Sequence, residues 1–506
     1  MTSQTDGPTI TTDIAIIGSG MGGGTLAYAL RNRGAKVLII ERGGYLPREP
    51  ENWSPTAVFA EKRYRTTEHV LNEHGNPFRP AIFYGVGGNT KVYGAALPRF
   101  RREDFGVLET EDGVSPAWPI TYEELEPYYA EAERLFRVHG TAGADPHEPP
   151  RSTPYPFAAV PHEPVIAEVA DSFASQGLKP YPLQLGIDLR EGGACIRCKT
   201  CDGFPCQVLA KSDAETCVIK PALESPDVSM LLNARAVRLN TDPTGKKITG
   251  IEIDHNGERK TVVAKTYVLA TSAINSAAML LRSANDKHPN GLANSSGLVG
   301  RGFMMHVNSG MLAVRPKTNP TIFQKTLAVN DWYFGDSKSK LPAGNAQLLG
   351  KLQPGMLAAN VPLMPSRMLT EVAGRSVDWY LMTEDLPHPD NRITIDASGR
   401  IVMLYKPNNV GAHKRLARAM SDAMRHAGYP LIQVRRFGLD AVAHQCGTIR
   451  FGDDPATSVL DPLCRSHDVD NLLVMDAGFL PSSAAQNPAL TIAAQALRVA
   501  EKAQFN

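Results

Sequence analysis

Two short segments near the end of the chain carry side chains suited to moving a proton. His444 lies in the sequence HQCGT, and Asn487 lies in NPALT, directly before a predicted final helix. An imidazole exchanges its proton near neutral pH, and an amide can hold an oxygen atom by hydrogen bonding. The two residues could therefore oxidise an alcohol: the histidine removes the hydroxyl proton while a hydride leaves for a redox cofactor.

Both residues also have an ordinary structural interpretation. The chain contains 13 histidines, and most histidines in a protein have no chemical role. Asn487 precedes Pro488, and asparagine followed by proline is a common start of a helix. The two segments alone therefore leave catalysis and helix capping as alternatives.

The start of the chain has the pattern of a dinucleotide-binding fold. An apolar run at 13–17 predicts a buried strand, a GxGxxG motif follows at 18–23, and 25–33 predicts a helix. A second apolar run at 36–40 predicts another strand, and it ends in Glu41. This order of strand, glycine motif, helix, strand and acid is the arrangement that binds a pyrophosphate at a helix N-terminus.

Each motif residue has a predicted role. Gly18 permits the tight turn, Gly20 lets the pyrophosphate approach the backbone, and Gly23 lets the helix pack closely on the sheet. Glu41 can accept hydrogen bonds from both ribose hydroxyls, which disfavours the 2′-phosphate of NADP. The motif does not separate FAD from NAD, but the extension ERGG at 41–44 favours FAD.

Composition and charge exclude several classes of protein. The 506 residues are 42% hydrophobic and 21% charged, which is typical of a globular protein of about three domains. A net charge of +1 argues against nucleic acid or an anionic membrane as the main partner. No apolar run reaches the length of a membrane span, and segment 1–13 lacks secretory features, so a cytoplasmic location is expected.

The elements between these motifs alternate between strands and helices. Predicted strands cover 228–239, 248–255, 261–269 and 472–475. Predicted helices cover 121–138, 166–176, 273–282, 414–427 and a final one that begins at Ala489.

Four blocks of sequence together resemble the glucose-methanol-choline (GMC) oxidoreductases. They are residues 13–44, residues 84–105, residues 270–306 and the last 65 residues. The third block contains ATSAINSAAMLL followed by GLVGRGFMMH, which is similar to a family signature. The last block, from HQCGTIRFGDDPATSVLDP to NPALTIAAQALR, carries the most specific resemblance.

The resemblance implies an α/β fold, α+β overall, with two domains. A Rossmann-like FAD-binding domain of GMC type would be discontinuous, built from residues 1–110, 207–305 and 441–506. A substrate-binding domain with an antiparallel sheet and helices would comprise residues 111–206 and 306–440.

The resemblance also assigns roles by motif position. The family's catalytic base falls on His444, and its second catalytic position, which is His or Asn in the family, falls on Asn487. The expected cofactor contacts are Gly18, Gly20, Gly23 and Glu41 for the ADP half, Gly88, Asn89 and Thr90 for the pyrophosphate and flavin, Ala236 for adenine, and Asp476, Ala477 and Thr491 for the ribityl chain and flavin ring.

Non-covalent FAD is expected. Some family members attach FAD through a histidine in the second glycine block. Here that position is Val92, and no histidine occurs between residues 84 and 105.

Within the family, the chain looks most like bacterial sugar-oxidising members such as pyranose oxidases and glycoside 3-oxidases. The implied substrate is a sugar or glycoside whose secondary hydroxyl, at C2 or C3 of a pyranose, becomes a ketone. The electron acceptor would be O₂ or another acceptor. The alternatives are a sugar dehydrogenase that reduces a quinone or protein, an oxidase of sterols or long-chain alcohols, an NAD-dependent dehydrogenase, and a flavin-binding protein without turnover. Candidate sugar contacts are Tyr333, Gln347, Gln353 and Asn360.

A cysteine cluster adds one further possibility. Cys195, Cys198, Cys201 and Cys206 have spacings that suit a metal or an iron–sulfur cluster. A local disulfide and free thiols in a packed loop are the alternatives. No metal is expected at the catalytic residues.

Overall fold

The computed structural model describes residues 8–361, 363–441 and 444–505. Its centre is a parallel sheet in which four strands are buried on both faces, as expected of a doubly covered sheet, and one edge strand is partly exposed. The strands lie in the spatial order Val228–Leu231, Val37–Ile40, Ile14–Ile17, Thr266–Leu269 and Leu472–Val474. Segments from the start, middle and end of the chain therefore share one sheet, and the predicted α/β fold is confirmed.

The first helix covers Met21–Leu30 and begins four residues before the predicted Thr25. The sequence places the start of the helix after the glycines, but Gly22 is helical and lies against the backbone next to the last strand. A Cβ atom at Gly22 would be 1.9 Å from the carbonyl oxygen of Met475. The glycines thus let this helix approach the sheet closely, where it also packs against the final helix Ala489–Lys502.

Two predicted strands are each divided in the structure. Segment 228–239 forms Val228–Leu231 and Ala234–Thr241, because Asn233 between them has a left-handed backbone with φ of 53°. Segment 261–269 forms Glu258–Val263 and Thr266–Leu269, which belong to different sheets. In both cases one apolar run supplies a strand to the parallel sheet and a strand to a neighbouring sheet.

That neighbouring sheet is mostly antiparallel and lies next to the adenine end expected from the sequence. Its strands lie in the order Thr9–Thr11, Glu258–Val263, Ile248–His255 and Ala234–Thr241. The predicted strand Ile248–His255 and the predicted helix Ala273–Arg282 have the bounds that the sequence indicated.

A large antiparallel sheet comes from the parts of the chain expected to bind substrate. Its strands lie in the order Tyr181–Pro182, Leu327–Val329, Asn345–Leu348, Ser376–Thr383, Val307–Val314 and Leu431–Arg436. Helices Pro164–Ser175 and Val410–His426 cover one face of this sheet with an apolar core around Trp379. Neither of these two helices lies on the opposite face of the sheet.

The remaining elements are short or connect the sheets. The other helices are Tyr122–Leu135, Lys220–Leu223, Pro354–Ala358 and Ser366–Ala373, with 3₁₀ turns at Pro50–Trp53, Gly88–Lys91, Arg102–Phe105 and Ala477–Phe479 and π turns at Thr56–Ala60 and Glu215–Ile219. The other strands are Val70–Leu71, Pro77–Phe78, Leu108–Glu109, Val114–Ser115, Val138–Gly140, Phe157–Ala158, Leu185–Gly186, Arg392–Ile395 and Ile401–Leu404. Among the described residues, no helix combines the length and apolarity needed to cross a bilayer.

Candidate active site

The two glycine-rich segments meet at the N-terminus of the first helix. The backbone N–H of Gly87 donates to Ser19 Oγ at 3.1 Å, and a Cβ atom at Gly88 would lie 3.3 Å from Gly20 Cα. A Cβ atom at Gly20 would find no atom within 4 Å. Free helix N–H groups therefore face open space between two glycine loops, which fits a bound pyrophosphate.

Gly18 and Gly23 hold this arrangement against the sheet. A Cβ atom at Gly18 would be 2.3 Å from the carbonyl oxygen of Ala270, and one at Gly23 would be 2.2 Å from that of Gly18. The structure therefore leaves no room for larger residues at either position, as the motif predicts.

Glu41 lies buried at the end of the second parallel strand, close to the glycine motif. Its carboxylate accepts hydrogen bonds from Ser19 Oγ at 2.6 Å and from the N–H of Gly43 at 3.0 Å. The N–H of Ser19 also donates to this carboxylate at 3.2 Å. A carboxylate has about four acceptor positions, so Glu41 keeps room for one ribose hydroxyl. The N–H of Ala234 donates to the Glu41 carbonyl, which brings the strand that contains Ala236 beside the expected ribose and adenine.

Asn89 and Thr90 shape the second glycine loop with their own side chains. Asn89 Oδ1 accepts from the N–H of Phe83 at 2.8 Å, and Thr90 Oγ1 donates to the Gly87 carbonyl at 2.5 Å. The side chains are thus engaged within the protein, so contacts to a cofactor here would come chiefly from the loop backbone.

A buried cation fixes the same loop, and the sequence analysis missed it. Lys91 Nζ donates to Asp213 at 2.8 Å and to Glu215 at 2.6 Å, and all three side chains are buried. The partners lie more than 120 residues away in sequence, so local spacing carries no signal for this cluster.

His444 lies beside a second histidine. His444 Nδ1 and His306 Nδ1 are 2.9 Å apart, and His306 Nε2 is 3.0 Å from the carbonyl oxygen of Ser483. Burial lowers the pKa of His306 to about 4. Burial, the His306 ring and Lys325 hold the pKa of His444 well below its usual range. Both rings are therefore neutral near pH 7, the state that a proton acceptor requires.

Asn487 does not cap the final helix. Pro488 occupies the N-cap position, before the first helical residue Ala489, and no side chain makes a capping hydrogen bond there. The Oδ1 atom of Asn487 is buried and has no hydrogen-bond partner among the described residues. Because a buried polar atom is costly without a partner, this oxygen is available to accept a hydrogen bond from a bound group. Thr491, in the first turn of the helix, pairs with the Tyr129 hydroxyl at 2.7 Å.

Asp476 and Ala477 join the last parallel strand to the His444 segment. Asp476 accepts from Ser276 Oγ at 2.5 Å and from the N–H of Ser272 at 3.0 Å, and burial raises its pKa to about 6. The Ala477 carbonyl accepts from the N–H of Gly447 at 3.1 Å. The segment that follows the last parallel strand therefore lies against the segment that contains His444.

Two buried acids, Glu384 and Asp385, lie next to the segment that contains His306. Asp385 accepts from the N–H of Met305 at 2.8 Å, and its backbone carbonyl accepts from Ser483 Oγ at 3.0 Å. Burial raises the pKa of Asp385 and of its neighbour Glu384 to about 8. These acids are therefore largely protonated at neutral pH and add little negative charge to the site.

The four predicted sugar contacts have different environments. Gln347 and Gln353 are buried, and each has a side-chain atom without a partner in the described structure. Tyr333 donates to Asp104 at 2.9 Å and accepts from the N–H of Ala485. Asn360 is exposed and pairs with Arg435. The unpaired amides favour Gln347 and Gln353 as ligand contacts over Asn360.

The cysteine loop contains free thiols, and no disulfide forms between its members. Within the described ranges, no group of three or more His, Cys, Asp or Glu side chains is arranged to hold a metal. A hydrogen bond from Cys201 lowers the pKa of Cys198 to about 5. Lys211 ties the loop to the second glycine segment by donating to the carbonyls of Cys201 and Tyr93.

Comparisons with known proteins agree with the geometry. Two family models described as GMC oxidoreductase match residues 81–308 and 387–496, and an NAD(P)-binding Rossmann-like domain model matches residues 16–46. Paromamine 6′-oxidase of Streptomyces fradiae is 32% identical over 97% of this chain and 90% of its own length. The fructose dehydrogenase large subunit of Gluconobacter japonicus is 28% identical over 97% of this chain and 98% of its own length.

A solved structure supports the same fold. Pyridoxine 4-oxidase from Mesorbium loti superposes with a TM-score of 0.70 at 20% identity, covering 97% of this chain and 99% of that one. The family models span most of the sequence, and a 32% identical relative aligns over nearly all of it. The chain therefore belongs to the GMC oxidoreductases, FAD-dependent enzymes that oxidise alcohol groups.

Proposed function

We propose that the protein oxidises a secondary hydroxyl of a sugar or glycoside, at C2 or C3 of a pyranose ring, to a ketone. The observation that carries this proposal is a polar sheet face beside His444. Gly310, Tyr380 and Gln347 are paired across adjacent antiparallel strands, so their side-chain directions are on the same face. The Tyr380 ring contacts the His444 ring with 6.2 Å between centroids.

This face carries buried amides that lack partners. Asn308 lies on the strand that begins directly after His306, and both polar atoms of its side chain are unpaired in the described structure. Gln347 Oε1 is also unpaired. An aromatic ring together with unpaired amides suits a ring that carries several hydroxyl groups, because each amide can exchange hydrogen bonds with a hydroxyl. An apolar alcohol would leave these amides unsatisfied.

The relatives support the same substrate class. Paromamine 6′-oxidase and the fructose dehydrogenase large subunit are named for sugar-like substrates. One name specifies an oxidase and the other a dehydrogenase, so the acceptor is a separate question. We propose O₂ or another acceptor, and oxygen consumption measured against dye reduction distinguishes them.

The proposed mechanism assigns a role to each residue near the substrate. FAD held at this site would supply the acceptor for the hydride that leaves the carbinol carbon. His444 takes the hydroxyl proton, and Asn487 hydrogen-bonds the same oxygen and positions it. Loss of one proton and one hydride converts the carbinol to a ketone. The neutral state of His444 supports its role as proton acceptor. The role of Asn487 requires its side-chain N–H as the donor, because the only hydrogen of the hydroxyl goes to His444.

For the cofactor site and the domains we propose the assignments that the sequence predicts. We propose that the two glycine loops, Glu41 and the strand with Ala236 hold the ADP half, and that Asp476, Ala477 and Thr491 lie along the flavin half. We also propose the discontinuous domains 1–110, 207–305 and 441–506 for FAD and 111–206 and 306–440 for substrate.

A cytoplasmic location is proposed because all seven cysteines are free thiols, which a reducing compartment maintains.

Non-covalent FAD is proposed because Val92 packs among apolar side chains where linked relatives carry a histidine. Acid precipitation of the purified protein should leave the flavin in the supernatant, as measured by its fluorescence. Flavin retained in the precipitated protein would contradict this prediction.

A substrate panel tests the proposed function. Anaerobic addition of pyranoses or alkyl glycosides should bleach the visible flavin absorbance, and the product should be a keto-sugar by NMR. Sterols and long-chain alcohols should leave the absorbance unchanged, because they cannot satisfy the buried amides. Bleaching by apolar alcohols with none by sugars would overturn the substrate class.

A further inference from the structure

The contact between His306 and His444 restricts where hydrogens can lie. The two Nδ1 atoms face one another at 2.9 Å, which is a hydrogen-bond distance. Two N–H groups would repel, and two bare nitrogens would have no hydrogen to share. One Nδ1 therefore carries a hydrogen, and the other accepts it.

The Ser483 carbonyl decides which ring is the donor. His306 Nε2 is 3.0 Å from this oxygen, and a carbonyl can only accept, so His306 Nε2 carries the hydrogen. A neutral imidazole has one N–H, which leaves His306 Nδ1 bare. His444 Nδ1 must then be the donor to His306, and His444 Nε2 is left with a free lone pair.

We propose that His306 is a positioning residue that fixes the tautomer of His444, so that Nε2 of His444 is the atom that accepts the substrate proton. This inference rests on the proposed function. The proton moves from the substrate hydroxyl to His444 Nε2, while the Nδ1–H of His444 remains hydrogen-bonded to His306. The acceptor at His306 also stabilises the positive ring that results.

The surroundings of His306 fit positioning better than direct proton transfer from substrate. His306 is 2% exposed, whereas His444 is partly exposed. Backbone hydrogen bonds in both directions between Met304 and Cys446, each 3.0 Å long, hold the two histidine segments together. The N–H of Met305 is also tied to Asp385. The backbone that carries each of the two rings is therefore fixed relative to the other.

Two substitutions at one position separate the two contacts of His306. In His306→Asn, the amide oxygen can occupy the position of Nδ1 and still accept from His444. In His306→Gln, the amide nitrogen can reach Ser483 from the position of Nε2, but no acceptor remains opposite His444. We expect His306→Gln to lower the rate of anaerobic flavin reduction by about 10²-fold with KM little changed, since general-base assistance is lost. We expect His306→Asn to stay within about tenfold of the parent.

A spectroscopic measurement on the parent holoenzyme tests the tautomer without any substrate. ¹⁵N-histidine labelling, with His444 assigned by its absence in His444→Gln, distinguishes Nδ1–H from Nε2–H rings by nitrogen chemical shift. The expected result is an Nδ1–H ring at His444 and an Nε2–H ring at His306. An Nε2–H ring at His444, or equal losses in the Asn and Gln variants with normal FAD content, would overturn the proposal. Failure of every sugar to reduce the flavin would instead contradict the proposed function and leave the tautomer result standing.

Discussion

Replacing His444 with alanine should slow anaerobic, substrate-driven flavin reduction by about 10² to 10⁴-fold, the usual contribution of a general base. The reason is that His444 is the partly exposed ring of the histidine pair and is neutral at pH 7. FAD content should stay normal, because the glycine loops and Glu41 do not depend on this side chain. Stopped-flow absorbance with a reactive sugar measures the effect.

His388→Ala provides the matched control, because His388 is an exposed histidine whose ring accepts a hydrogen bond from the N–H of Asp390 in its own loop. It should reduce its flavin at the parent rate. If His444→Ala is as fast as this control, His444 is not the base, and His306 becomes the histidine to test in that role.

Replacing Gly20 with valine should weaken FAD binding by roughly 100-fold while the fold persists. A Cβ atom at Gly20 meets no protein atom within 4 Å, so the substitution fits the protein but fills the space proposed for the pyrophosphate. Two lost hydrogen bonds to a charged group cost about 1.5 kcal/mol or more each, and about 1.4 kcal/mol is a factor of ten in affinity. Titration of the apoprotein with FAD, followed by flavin fluorescence, measures the change.

Gly106→Ala is the control for a glycine outside the site. Its added Cβ atom would make an ordinary 3.4 Å contact with the Glu103 carbonyl. This variant should bind FAD like the parent, and both variants should show the circular dichroism of the folded protein. Parent-like affinity in Gly20→Val would place the pyrophosphate elsewhere.

The local sequence correctly predicts strands and helices whose formation depends mainly on their own residues. The apolar runs at Ile14–Ile17 and Val37–Ile40 are buried strands, and Ala273–Arg282 is a helix with the predicted bounds. The first helix begins earlier than predicted, because the glycines that mark a turn also serve close packing. Only a residue without a Cβ atom at Gly22 leaves room for the backbone of Met475. No local sequence pattern reveals this contact, because the two residues are more than 450 positions apart.

The motifs predict individual site residues but not the tertiary contacts that those residues make. Motif position predicts His444 and Asn487 as site residues. Asn487 is equally suited by sequence to cap the final helix, and only the structure shows that its side-chain oxygen is unpaired. The pairing of His306 with His444 spans 138 residues and leaves no trace in spacing. The same holds for Lys91 and its two acids, because tertiary packing alone brings these charges together.

The most direct test of the central claim is the deuterium sensitivity of flavin reduction in a single anaerobic turnover. An alkyl glucoside labelled at C2, at C3 or at the hydroxymethyl carbon would be compared with the unlabelled sugar. Oxidation of a ring hydroxyl predicts that deuterium at C2 or C3 slows flavin reduction and that deuterium at the hydroxymethyl carbon does not. Slowing confined to the hydroxymethyl label would contradict the account and assign the enzyme to primary alcohols.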